Sequence, residues 1–80
     1  MNLRELKAER IKQNKDVRYM ARIIGKSCSS YQKKERGEIG FSPTEMTAIA
    51  VDFDMSFSLF NKVFFDEKLP FSKSVDVLVS

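Results

Sequence analysis

The feature that most restricts this chain is its punctuation. Helix-ending and helix-starting residues alternate so closely between positions 14 and 56 that only short elements fit between them. Asn14 can take the left-handed conformation that closes a helix. Asp16, two residues on, can accept hydrogen bonds from the first free amides of the next helix. Gly25 ends that helix and Ser27 opens another, which Gly37 closes. The run "SPTE" from Ser42 to Glu45 is the clearest start signal: serine caps, Pro43 takes the first helical position, and Glu45 can reach back to complete a capping box. Ser56 caps once more. Connections this short belong to a compact helical domain.

Apolar spacing fills the intervals. Leu3 to Gln13 reads as a helix with Leu3, Leu6 and Ile11, and Arg10 beside them, on one side. Val17 to Ile24 turns Met20, Ala21 and Ile24 inward. A third helix runs from the Ser27 cap to about Arg36. Met46, Ile49, Ala50 and Phe53 mark the buried face of a fourth, and Phe57, Phe60, Val63 and Phe64 that of a fifth. All seven phenylalanines lie after residue 40, at the spacing of helix faces, and are read as core rather than as an aromatic cofactor box. Past Phe65 "DEKLP" ends the helical pattern, and Val75, Val77 and Val79 fall at strand spacing. The expectation is an all-α, five-helix domain over residues 1–65, followed by a tail, 66–80, that is either a dimerisation strand or a flexible terminus.

Bulk properties narrow the function. Eighty residues make one small domain. No apolar run approaches the ~18 residues a membrane span needs, and "MNLRELKAER" lacks the apolar stretch of a signal peptide. A single cysteine forms no internal disulfide, which fits a reducing cytoplasm. With no histidine, no metal-ligand cluster, no phosphate-cradling glycine loop and no nucleophile–base pair, the inventory does not suit an enzyme, and it implies no cofactor, metal or small-molecule ligand. The net charge of +3 is strongly polarised: residues 1–37 hold 11 Lys/Arg against 4 Asp/Glu, a net +7, and residues 38–80 hold 3 against 7, a net −4. A polyanion is the leading partner for the basic half.

Two short helices joined by a turn of about three residues with a glycine in it form a helix-turn-helix pattern. Ala21 must be small where the helices cross, and Gly25 supplies a backbone conformation that costs other residues. On a wheel of about 100° per residue, Cys28, Gln32, Arg36, Ser29 and Lys33 share an arc of roughly 140°. Every one is polar or small, as a face entering a DNA groove would be. Lys33 can donate to guanine O6 or N7, and Gln32 can pair with adenine. Lys12, Lys15, Arg18, Lys26 and Arg36 are candidates to neutralise phosphates. Ser30, Tyr31 and Lys34 fall on the opposite, packing side.

The segment "DVRYMARIIGKSCSSYQKKERGE", with "SPTEMTAIAVDFDMSFSLF" after it, resembles the phage repressor and Cro-type (XRE-like) helix-turn-helix family over about residues 3–65. "KKERGE" is similar to variants in repressor-type regulators of Gram-positive phages and mobile elements. The resemblance implies a lambda-repressor-like fold and a regulator, a phage or prophage repressor or Cro-like protein, that binds double-stranded operator DNA as a homodimer. It implies that Cys28, Ser29 and Lys33, with Gln32 adjacent, meet base edges. It places Val17 near the DNA backbone or outer bases, and Asp16, Arg18 and Lys26 toward phosphates. It also implies an ion pair between Arg10 and Glu35. Two positions depart from the pattern. Tyr31 stands for an aliphatic residue, and its hydroxyl needs a partner. Lys34 stands where the family commonly has an apolar residue, and is expected to lay its stem on the core and send its ammonium outward. Cys28 reads more simply as a small residue at the DNA surface than as a redox switch. The competing function is a protein-interaction module, an antitoxin or adaptor, working through the acidic, Phe-rich half.

Overall fold

Each helix begins where a side chain can satisfy its free amides. Asn2, Asp16, Ser27, Ser42 and Ser56 each accept a hydrogen bond from the backbone N–H three residues on. The computed structural model describes residues 1–68, and over that range the chain is all-α. Its helices are α1 (Leu3–Lys12), α2 (Val17–Ile24), α3 (Cys28–Glu35), α4 (Pro43–Asp52) and α5 (Phe57–Phe65). Ser42 forms the full capping box: its Oγ accepts the Glu45 N–H at 3.1 Å while Glu45 Oε1 accepts the Ser42 N–H at 2.8 Å. The stops work as their residue types allow. Asn14, Gly25 and Gly37 hold φ of 62°, 71° and 84°. Asp54 and Asp66, each at φ 52°, close α4 and α5 in the same left-handed conformation.

The inward residues of all five helices meet in one core. Leu6, Met20, Tyr31, Ile49 and Val63 are fully enclosed, with Ala21, Ile24, Phe41, Phe53 and Phe64 around them. Phe41, on the α3–α4 linker, joins the aromatic members. Its ring lies edge-on to Tyr31 at 6.1 Å between centroids and to Phe64 at 6.0 Å. α2 packs against both α3 and α4, while α1 packs against α5 and the flank of α3. The Asn2 N–H donates to the Val63 carbonyl, and the terminal ammonium pairs with Asp66, so the start of α1 and the end of α5 are tied together.

Two apolar residues expected inside are exposed. Ile11 is 59% accessible, because it lies roughly 140° round the helix from Leu6. Phe57 is 38% accessible. It is the first residue of α5, where the N-terminal tilt of helical side chains carries it past the helix end. The valine pattern of the tail lies outside the described residues.

Candidate nucleic-acid interface

The α2–α3 unit is built around its turn. Gly25, Lys26 and Ser27 connect the helices, the Lys26 N–H donates to the Ala21 carbonyl at 2.9 Å, and Ser27 caps α3. A Cβ at Gly25 would touch nothing within 4 Å, so the glycine answers to the φ of 71° and not to crowding. Ala21, the small residue expected where the two helices cross, is buried at 4% exposed.

Around α3 the division into two faces is complete. Cys28, Ser29, Gln32, Lys33 and Arg36 are all exposed, and Tyr31 and Lys34 are buried on the opposite side. The arc that the wheel marked out on α3 is therefore the exposed one.

Polar anchors hold the inner face. Arg10 grips Glu35 with both arms of a fork, Nε to Oε2 at 2.9 Å and Nη2 to Oε1 at 3.2 Å, and its Nη1 donates to the Lys15 carbonyl at 2.9 Å. The expected ion pair thus joins α1, the α1–α2 turn and the end of α3. The Tyr31 hydroxyl donates to the same Glu35 Oε2 at 2.5 Å. Burial first, and then the Glu35 carboxylate, push that phenol well above its ordinary value.

Lys34 corrects its expectation. Its ammonium turns to two partners inside the fold. The residue is 8% exposed, and Nζ lies 2.8 Å from the Gly40 carbonyl and 3.0 Å from Glu45 Oε1. Burial raises the Glu45 carboxyl, but the Ser42 amide and the Lys34 ammonium outweigh it and hold the group below its ordinary value. The counter-charge comes from the first turn of another helix, out of reach of a reading along α3 alone.

The cations divide into two sets. Lys12, Arg18, Lys26 and Lys33 are exposed, and none has an ion-pair partner among the described residues. Lys15, expected at phosphates, is occupied inside the fold. Its Nζ lies 2.6 Å from Asp52 Oδ2 and 4.3 Å from the centre of the Phe53 ring. Tyr19 donates to the other Asp52 oxygen at 2.6 Å, so Lys15 braces the α1–α2 turn against the end of α4. Arg36 remains exposed but pairs with Glu38 at 2.5 Å. Val17 is half-buried and packs on the core, so it offers contact area without a donor. Arg22, not singled out from the sequence, is a further exposed cation in the last turn of α2.

One apolar groove opens elsewhere, where α4 runs beside Ile23. Pro43, Thr47, Ala48 and Val51 line it, and Val51 is 75% exposed. No described helix is long and apolar enough to cross a membrane. No family model, curated protein or solved structure matches the chain.

Proposed function

We propose that this protein is a sequence-specific double-stranded DNA-binding regulator of transcription that inserts α3 into the major groove. The observation that carries the reading is the clean partition of α3. Its buried side is fixed by Tyr31, Lys34 and Glu35, and its whole outer arc is exposed, polar and free of large apolar side chains. On this reading Cys28, Ser29, Gln32 and Lys33 meet base edges. Lys12, Arg18 and Lys26, with Arg36 once it leaves Glu38, neutralise phosphates and supply affinity without sequence information. Val17 packs close to the backbone at the start of α2. A phage-type repressor or Cro-like protein working as a homodimer would read two half-sites about 34–36 Å apart, one helical turn of DNA.

Selection from a pool of random duplexes tests this. The expected result is an enriched motif with two-fold symmetry, bound with an affinity that falls steeply as salt rises. Absence of any DNA binding at low salt would end the proposal.

A second reading has one observation in its favour. Val51 and the groove beside Ile23 form an apolar surface on the acidic half of the chain, suited to a protein contact. In that case binding would depend on Val51 and respond weakly to salt.

A further inference from the structure

We infer that Lys34 and Glu45 are positioning residues that set the roll of α3 about its axis, and with it the discrimination between DNA sequences. The inference rests on the DNA-binding reading for its consequence, but its geometry stands on the fold alone. One oxygen, Glu45 Oε1, accepts both the Lys34 ammonium at 3.0 Å and the Ser42 amide at 2.8 Å. The same ammonium donates to the Gly40 carbonyl at 2.8 Å. A single buried pair therefore fastens α3 to the linker and to the first turn of α4. Glu35, the next residue on α3, is fastened to a different helix, by Arg10 of α1. Tyr31 lies between the two anchors on the wheel. A roll of α3 either way stretches one of them.

Apolar packing alone would not hold this angle so closely, because the hydrophobic effect has no direction and hydrogen bonds do. The sensitivity is high. At a side-chain radius of about 5–6 Å, a roll of ~20° moves the outer face by about 2 Å, several times the ~0.5 Å within which a recognition group must be held. Stability does not explain the pair either, since well-packed apolar residues of similar volume commonly do as well as a buried ion pair or better. Fixing one orientation among close alternatives is the role that remains.

The test compares the wild-type chain with the Lys34→Met/Glu45→Gln double variant. Glutamine keeps an acceptor for the Ser42 amide, and methionine replaces the ammonium with an apolar group of similar reach. The probes are the duplex that the wild type selects from a random pool and a random-sequence duplex. Helical content is expected to be unchanged. Affinity for the random duplex, and its salt slope, should also stay the same, because Lys34 is buried and neutralises no phosphate. The ratio of selected to random affinity should fall by about tenfold or more, within the span that separates specific from non-specific binding. A ratio unchanged in the folded variant overturns the inference. Should the double variant not fold, Lys34→Met alone, which removes the ammonium and leaves the Ser42–Glu45 capping box in place, carries the same expectation. If the wild type binds no DNA, the functional reading fails by itself, and the roll is then read from nuclear Overhauser contacts between α3 and α4. Altered contacts in the variant sustain the positioning role, and unaltered ones overturn it.

Discussion

Tyr31 shows how a single side chain reconciles two demands. Its ring fills the centre of the core, and its hydroxyl ends on Glu35, where Arg10 also arrives. Tyr31→Phe keeps the ring and removes one hydrogen bond to a charged acceptor. It should lower stability by about 1.5–3 kcal/mol, seen as a lower urea midpoint with an unchanged slope. That Tyr31 packs inward was legible from the wheel, as was the place of Lys34. Their partners were less so. The Glu35 pairing with Arg10 came from a family resemblance, whereas Glu45 was read only as a capping residue. Nothing local in the sequence says that its carboxylate also neutralises an ammonium eleven positions earlier. Lys15 misled for the same reason. A lysine in a basic segment looks solvated until the fold brings Asp52 and Phe53 to it.

At the scale of the element, the sequence was most informative where the physics is local. Caps, the proline at the start of α4 and the left-handed stops act over three or four residues, and they placed the helices from α2 onward to within a residue or so. Ile11 was misplaced because it lies roughly 140° round α1 from Leu6, off the buried face, and Phe57 because it stands at the first position of α5, where its side chain tilts past the helix end. The two left-handed glycines give a graded prediction. Gly25→Ala meets no atom and should cost about 1–2 kcal/mol from its φ alone. Gly37→Ala carries the same backbone cost and also brings its Cβ to 3.1 Å from Leu3 Cδ1. Its thermal midpoint should be no higher than that of Gly25→Ala. The partition of α3 is itself an element-scale property. If α3 reads DNA, Lys33→Ala should relax sequence preference while Lys12→Ala weakens binding to all duplexes alike, both measurable by competition with random DNA. Lys15→Ala should chiefly lower the thermal midpoint, since its charge is used inside the fold.

For the whole molecule, the charge polarity seen in the sequence persists, but the fold uses part of it for cohesion. Arg10, Lys15 and Lys34 are drawn into partly or fully buried pairs, whereas Lys12, Arg18, Arg22, Lys26 and Lys33 stay exposed with no ion-pair partner among the described residues. The buried pairs also link stability to pH. Glu45 and Asp52 are each raised by burial but lowered more by their hydrogen-bonded cations and donors, so both lie below their ordinary values of 4.5 and 3.8. A carboxyl depressed in the folded state stabilises fully above its unfolded value and less as pH falls through the folded one. Unfolding free energy should therefore be level near neutrality and decline progressively below about pH 4.5. Glu45→Gln should flatten the Glu45 part of that decline, as urea titrations across the acid range would show.

On the proposed reading, the outer arc of α3 is the surface that meets DNA. Titrating isotope-labelled protein with a duplex selected from a random pool, while following backbone amide signals, locates the contact residue by residue. The largest changes are expected at Cys28, Ser29, Gln32 and Lys33, with smaller ones at Val17, Arg18 and Lys26 and little along the Val51 side of α4. Changes centred on Val51 and Ile23, with α3 silent, would contradict it.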